Sequence, residues 1–266
     1  MIKKINSKLQ LQAMSVYLRS FDEPRLSCID WLRDSTGTLF SDQQVDAQAL
    51  DLIITLSTSI DRIIERNEQQ TPRVGYALQE HLQADNAFVI DLQDTTWAQA
   101  LEVANGYFVA AGMKNILIAE ANSHDVKQFP TLEAGARSVL LSASDAVSQC
   151  QIVQQEIAGY QPNTLSLSTE GKLELSVQLP AKHALTDHLV SQIVQLCEAL
   201  QGDGHAVMID APHYLEAQLI RALQFNAPQL RWSSWNDTQA QLKEALPQIW
   251  LSVCPFRAKI VARTMF

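Results

Sequence analysis

The chain has 266 residues, of which 47% are hydrophobic, so it can bury a sizeable core as one large domain or two small ones. Its 20 basic and 29 acidic residues give a formal net charge of −9, which disfavours nucleic acid or an anionic membrane as the main partner. No stretch approaches the roughly 18 consecutive apolar residues of a membrane helix. Residues 9–18 alternate like a strand rather than a signal-peptide core, so a cytoplasmic protein is predicted.

The cysteines are scattered along the chain and include no Cys-x-x-Cys pair. They are Cys28, Cys150, Cys197 and Cys254. In a reducing compartment such cysteines are expected to be buried thiols rather than disulfides or metal ligands. Neither a cofactor nor a metal is predicted.

Apolar periodicity predicts alternating strands and helices. In the first half the predicted helices lie at 26–32, 57–66, 74–82 and 97–111, the strands at 9–18, 50–56, 87–90, 115–121 and within 132–142, and a turn at Gly37. In the second half the predicted helices lie at 185–200, 215–223 and 238–246, and the strands at 173–179, 206–209, 230–233, 249–253 and 260–266. This alternation predicts an α/β fold.

Residues 87–112 are predicted to form a buried strand, a polar turn and a buried helix that ends at Gly112. The N-terminus of such a helix stabilises an anion, so a cysteine placed there would have a lowered pKa. The sequence instead has Asp94, Thr95 and Thr96. A threonine hydroxyl needs a neighbouring base to act as a nucleophile, so helix capping is the simpler role for these residues.

This stretch resembles the active-site segment of the β-ketoacyl-acyl-carrier-protein synthase III family of the thiolase superfamily. In that family a strand ending in Phe-Asp-Leu leads to a turn whose cysteine opens a buried helix. When the two are matched on Asp91, the nucleophile position falls on Thr96. The resemblance implies a shortened αβαβα fold of two duplicated halves, 1–160 and 161–266, packed as one compact unit.

The second half resembles the same family but departs from it at the catalytic motifs. His213 falls on the catalytic histidine in the segment Pro212-His213-Tyr214, whereas residues 231–236 offer no counterpart of the catalytic asparagine. Pro255 stands in the glycine-rich turn that supplies an oxyanion donor, and proline has no N–H. Acyl transfer needs the nucleophile and the oxyanion donors together, so the chain itself is expected to be inactive.

Within the family, residues 50–121 resemble the non-catalytic small subunit of the heterodimeric synthase of 2-alkyl-4-quinolones. That resemblance implies a partner subunit with the cysteine, which condenses a medium-chain acyl group with 2-aminobenzoylacetate. Two alternatives stay open. The chain could serve the same role in another secondary-metabolite pathway, such as polyene, prodiginine-like or resorcinol synthesis. It could also be a stand-alone hydrolase that uses His213 or Cys254.

Family geometry also implies where the partner would bind. The strand at 87–91 is expected to pair with its mate across the dimer axis, and the residue before Pro72 is expected to project into the mate's substrate tunnel. The expected interface residues are Gln70, Thr71, Pro72, Phe88, Ile90 and Trp97.

Overall fold

The computed structural model describes most of the chain. The described residues are 2–18, 28–43, 45–57, 74–93, 95–122, 135–157, 164–167, 173–176, 182–200, 206–211, 213–235, 248–254 and 259–265. The helices predicted at 57–66 and 238–246, the interface positions Gln70 to Pro72, and Pro255 lie outside these ranges, except that Ser57 is described and ends a strand. The described part divides into two compact units, which we call the N-terminal unit (Ser7–Thr95 and Gln99–Ser148) and the C-terminal unit (Met1–Asn6, Thr96–Ala98 and Gln149–Phe266).

The N-terminal unit is built on parallel strands that are flanked by helices. Its elements are β1 (Ile2–Leu18, which begins in the other unit), α1 (Cys28–Gln43), a short 3-10 turn (Ala47–Ala49), β2 (Leu52–Ser57), α2 (Val74–Leu82), β3 (Phe88–Gln93), α3 (Trp97–Ala110), β4 (Asn115–Asn122) and the first part of β5 (Gly135–Glu156). The sheet order is β3-β2-β4-β5, in which β5 is antiparallel to β4, and β1 pairs with β5.

One face of this sheet packs against α1 and α2. Ile53 of β2 and Leu117 of β4 form a single apolar cluster with Trp31 of α1 and Leu78 of α2. The predicted helix at 74–82 is confirmed, and its apolar residues Val74, Leu78 and Leu82 follow the four-residue spacing that places them on one side. The buried face of α2 therefore follows directly from its sequence pattern.

Helix α2 approaches the sheet closely because residue 75 is glycine. A Cβ at Gly75 would lie 2.5 Å from Cγ1 of Val89 and 3.1 Å from Oγ1 of Thr55. Carbon atoms do not approach each other to 2.5 Å without displacement, so any larger residue would push α2 away from β2 and β3. At the far end of α3, Gly112 has φ of +67°, as the predicted left-handed helix end requires.

The C-terminal unit has both parallel and antiparallel strands and two helices. Its elements are the second part of β5, β6 (Thr164–Leu167), β7 (Leu173–Ser176), α4 (Lys182–Ala199), β8 (Ala206–Asp210), α5 (His213–Asn226), β9 (Arg231–Ser233), β10 (Ile249–Cys254) and β11 (Lys259–Thr264). The sheet order is β5-β11-β10-β8-β9, and β6 pairs with β7 as a separate hairpin.

Alternate residues of these strands face opposite sides of the sheet. One side carries aliphatic residues such as Val207, Ile209 and Leu251, which pack with α4 and α5 in one cluster. The other side carries Asp210, Trp250, Ser252 and Arg263, all buried. This second, partly polar face holds the candidate site.

Three details of the predicted elements were wrong. Gly37 lies inside α1 rather than in a turn, and that helix runs to Gln43. Strand β3 extends through the predicted polar break because Thr55 Oγ1 donates a hydrogen bond of 3.0 Å to the Asp91 carboxylate on the neighbouring strand. Strand β5 has 22 residues, since its two ends pair with different strands, β4 and β11.

Candidate functional site at the first turn of helix α3

The candidate site is the turn at Thr96, Trp97 and Ala98, which belongs to the C-terminal unit. Thr96 and Trp97 are both buried, and α3 begins at Trp97. The first amide groups of a helix have no partner within the helix, so they are available to a ligand or to a capping group. What these groups contact therefore decides whether the turn can bind an anion.

In this chain a serine of strand β10 occupies the helix end. Ser252 Oγ accepts a hydrogen bond of 3.0 Å from the Ala98 N–H and donates one of 3.0 Å to Oδ2 of Asp210. Ser252 and Asp210 are directly paired in the register of β10 and β8, which brings the hydroxyl to the carboxylate. The Ala98 amide is thus satisfied by the protein's own side chain.

Three tryptophans fill the space beside this turn. The ring centroids of Trp97 and Trp235 are 4.7 Å apart in an edge-to-face arrangement, and those of Trp235 and Trp250 are 5.3 Å apart in a similar one. Trp97 and Trp250 are stacked at 6.1 Å. All three side chains are at most 2% exposed. Such aromatic pairs add about 0.5–1.5 kcal/mol beyond the burial of their area.

Buried charged residues support the aromatic cluster. Glu216, in the first turn of α5, accepts a hydrogen bond of 3.3 Å from the backbone N–H of Trp235. Arg263 of β11 lies directly across from Trp250 in the antiparallel register and is fully buried. The bond to Glu216 satisfies the buried N–H of Trp235 and ties this residue to the first turn of α5.

The described thiols do not supply a nucleophile at this turn. Burial, assisted by the nearby charge of Glu198, raises the pKa of Cys197 to about 12, so this thiol stays protonated. Cys28 and Cys150 are also buried, while Cys254 is partly exposed at the end of β10. Within the described ranges no group of three or more His, Cys, Asp and Glu residues could hold a metal ion.

The other predicted site residues are distributed as follows. His213 is the first residue of α5, and its side chain is outside the described part, as are Pro255, Gln70, Thr71 and Pro72. Phe88 is 67% exposed on β3, and Ile90 on the same strand is half-buried. Trp97 is buried within its own chain, so it would affect an interface only indirectly, through the turn that it supports. Its interface role stays a prediction.

The fold of the chain is similar to that of solved ketosynthase structures. The priming β-ketosynthase of the R1128 polyketide pathway superposes with a TM-score of 0.70 over 97% of this chain and 96% of its own, at 14% identity. The 3-oxoacyl-acyl-carrier-protein synthase III of Aquifex aeolicus superposes with a TM-score of 0.61 over 99% of both chains, at 13% identity. The chain has the thiolase-like fold of the ketoacyl synthase III enzymes. The fold prediction is thereby confirmed.

Sequence similarity to a curated protein is confined to one stretch. The chain is 35% identical over 79 residues to the 2-heptyl-4(1H)-quinolone synthase subunit PqsB of Pseudomonas aeruginosa. The matched stretch covers 30% of this chain and 28% of that subunit. This confirms the predicted resemblance to that type of subunit, while no protein-family model matches the chain. No helix in the described part is both long and apolar enough to cross a membrane.

Sequence reasoning identified Thr96 but missed the residues that close the turn. Trp235 lies in residues 231–236, which offer no counterpart of the catalytic asparagine, and Trp250 lies in a predicted strand. Neither Ser252 nor Asp210 was given a role. A signal was present, because a tryptophan lies in each of the segments that carry a family motif or lead into one. Three bulky residues in such segments indicate a filled site rather than an open one.

Proposed function

We propose that this chain is a non-catalytic subunit of a condensing enzyme of the ketoacyl synthase III type. The observation that carries the proposal is the occupied first turn of α3, where Ser252 binds the Ala98 amide and the tryptophans exclude other groups. Acyl transfer requires a nucleophile and free oxyanion donors in one place. Here the nucleophile position is Thr96, and the neighbouring space is filled.

The proposed reaction belongs to the complex and is performed by a partner. We propose that a cysteine-bearing synthase III-like subunit joins a medium-chain acyl group to 2-aminobenzoylacetate, giving a 2-alkyl-4-quinolone. The support is the stretch that resembles the quinolone synthase subunit, together with the fold. That stretch covers only 28% of the relative, so the choice of pathway needs independent support. Genes beside this one that encode an anthranilate-activating ligase would favour the quinolone pathway over another secondary-metabolite pathway.

Strand β3 is the proposed contact with the partner. It is the last strand of its sheet, and among the described strands it pairs only with β2. An edge strand offers unpaired backbone groups to another strand, and the exposed ring of Phe88 adds apolar area. We propose that Phe88 and Ile90 contact the partner here, with Gln70, Thr71 and Pro72 next to them and Thr71 reaching the partner's acyl pocket.

His213 is proposed to have no catalytic role in the complex. It begins α5 close in sequence to Asp210 and Glu216, and both of these carboxylates are already engaged by Ser252 and Trp235. A general acid–base residue contributes about 10²–10⁴-fold to a rate. His213→Ala should therefore reduce turnover by less than a few-fold, whereas a loss within that range in an intact complex would place His213 in the chemistry.

The test of the proposed function is co-expression with a full-length synthase III-like chain encoded beside this gene. We expect the two chains to co-purify and the mixture to release free CoA from an acyl-CoA with 2-aminobenzoylacetate, whereas this chain alone does not. A matched control replaces the cysteine of the partner by alanine, which should abolish turnover without loss of binding. Turnover that survives in this control would contradict a non-catalytic role for this chain.

A further inference from the structure

The first turn of helix α3 lies close to a buried carboxylate, that of Asp210. Ser252 Oγ accepts the hydrogen bond from the Ala98 N–H, which leaves its own hydrogen free to be donated to Oδ2 of Asp210. Both bonds are 3.0 Å long, and Asp210 is only 8% exposed. A carboxylate therefore lies two hydrogen bonds from an N-terminal amide of α3, in a place where water screens its charge little.

The carboxylate opposes the usual electrostatic character of a helix N-terminus. The free amides and the dipole of a helix together amount to about half of a positive elementary charge at this end, which stabilises an anion. A cysteine placed there has its pKa lowered from about 8.5 to about 3.5–7.5. A full negative charge within about 4–6 Å disfavours the anionic form of a neighbouring group. The charge of Asp210 is thus opposite in sign to that of the helix end and larger in size.

Two other buried charged residues belong to the surroundings of this turn. Glu216 is a second carboxylate, which is bonded to the N–H of Trp235. Arg263 is the cation on this face of the sheet, but it is paired with Trp250, two residues before Ser252 on β10. Asp210 is paired with Ser252 itself. Asp210 is therefore the charged residue in register with the side chain that caps α3, and a hydrogen bond joins the two.

We propose that Asp210 is the residue that prevents this turn from stabilising a negative charge. Its carboxylate, held by Ser252, neutralises the positive end of α3, so that neither a thiolate at position 96 nor the oxyanion of an acyl intermediate is stabilised there. A thiol restored at position 96 would then stay in the protonated, unreactive form at neutral pH. The inference deepens the proposed function and rests on it only in taking Thr96 as the nucleophile position.

The experiment measures the ionisation of a thiol introduced at this turn. Thr96→Cys is titrated by the ultraviolet absorbance of the thiolate, with the wild type, which has the other four cysteines, as the blank. We expect a pKa at or above the ordinary value of about 8.5, although the thiol lies at a helix N-terminus.

The decisive comparison adds Asp210→Asn to this variant. The asparagine has the same shape and can still accept the hydrogen of Ser252, but it carries no charge. The pKa of the introduced thiol should therefore fall by at least about 1, which is about ten-fold more thiolate at neutral pH. Thr96 is 4% exposed, and burial raises the pKa of the thiol in both variants, so the difference between them reports the charge.

The matched control removes a carboxylate from the other side of the sheet. Asp187 is exposed on α4, and α4 packs against the aliphatic face that includes Val207 and Leu251. Asp187→Asn changes the net charge by the same amount as Asp210→Asn. Added to Thr96→Cys, it should change the pKa of the thiol by less than about 0.2, because an exposed charge at this distance is screened.

Either of two results would overturn the proposal. One is a pKa below about 8.5 for the introduced thiol while Asp210 is present. This result needs only the Thr96→Cys variant, so it decides even where Asp210→Asn does not fold. The other is a pKa that Asp210→Asn leaves unchanged, or that Asp187→Asn lowers equally.

The titration and the proposed function can fail independently. The titration involves no acyl donor, partner or turnover, so its failure would leave the non-catalytic role standing. Conversely, turnover by the complex that survives without the cysteine of the partner would contradict the non-catalytic role without altering the titration.

Discussion

The first turn of α3 and the edge of β3 are neighbours in sequence, but they are completed in opposite ways. At the turn, Ser252 binds the Ala98 amide, and the rings of Trp97 and Trp250 occupy the adjacent space. At the edge, Phe88 is left 67% exposed and the strand has a single described partner. Under the proposed function, the chain closes the place where chemistry would occur and leaves open the place where a partner would bind.

Under the proposed function, the difference teaches that a subunit without the nucleophile need not have an empty site. A cavity lined by apolar groups costs stability in proportion to its volume, so filling it with large side chains is favourable once ligand binding no longer matters. An open edge carries the opposite cost, because it invites association. Keeping that edge is consistent with a proposed role that depends on a partner.

The largest effect is expected on the free energy of unfolding, from a change in the tryptophan cluster beside the first turn of α3. Trp97→Ala would remove one ring from the cluster that includes Trp235, and truncation of a buried tryptophan costs about 3–5 kcal/mol of the free energy of unfolding. Urea denaturation measures this loss. The control Tyr76→Ala removes an exposed ring and should change stability by less than about 1 kcal/mol. Equal effects of the two variants would mean that the cluster is not a packed unit.

The next largest effect is expected on partner binding at the edge of β3. Phe88→Ala should weaken binding to the co-expressed synthase about 30-fold, since central aromatic residues of an interface contribute about 2 kcal/mol or more. Stability of the isolated chain should change little, because the ring is exposed. The control is Phe225→Ala, which removes a ring that is 86% exposed at the end of α5. If both variants bind alike, β3 is not the contact.

A smaller effect is expected at the helix end. Ser252→Ala removes the hydroxyl that caps the Ala98 amide and leaves Asp210 without this donor, so the free energy of unfolding should fall by about 0.5–2 kcal/mol. Ser252→Thr keeps a hydroxyl and should restore most of the loss. A loss that Thr does not restore would assign the effect to packing instead of the hydrogen bond.

The smallest effect concerns His81 on α2. Burial, assisted by the charge of Arg33, holds the pKa of this histidine below 6.5. A lowered pKa in the folded state means that the neutral form favours folding, so this contribution is present above pH 6.5 and is lost as the pH falls through the folded pKa. Arg33→Gln should raise the pKa of His81, as measured by NMR titration. An unchanged pKa would leave burial as the sole cause.

Much of the fold could be predicted from local sequence, but the closure of the site could not. The spacing of Val74, Leu78 and Leu82 fixes α2 without reference to the rest of the chain. Gly37 was misread because a glycine can lie in a helix at a modest cost when its surroundings support the helix.

The Trp97–Trp235–Trp250 cluster joins segments that are far apart in the chain, and no periodicity within one segment reports such a contact. The same holds for the Ser252 cap on Ala98, which joins residues 154 positions apart. That position 96 carries a threonine could be read from the sequence, whereas the Ser252 cap and the tryptophan cluster beside it required the fold.

The central claim is that the chain does not accept an acyl group, and intact-mass spectrometry tests it most directly. The isolated chain is incubated with an acyl-CoA, in parallel with Thr96→Cys, which restores a thiol to a turn still filled by the tryptophans. We predict no acyl adduct on the wild type and at most a trace on the variant. A stoichiometric, hydroxylamine-labile adduct on the wild-type chain would contradict the account.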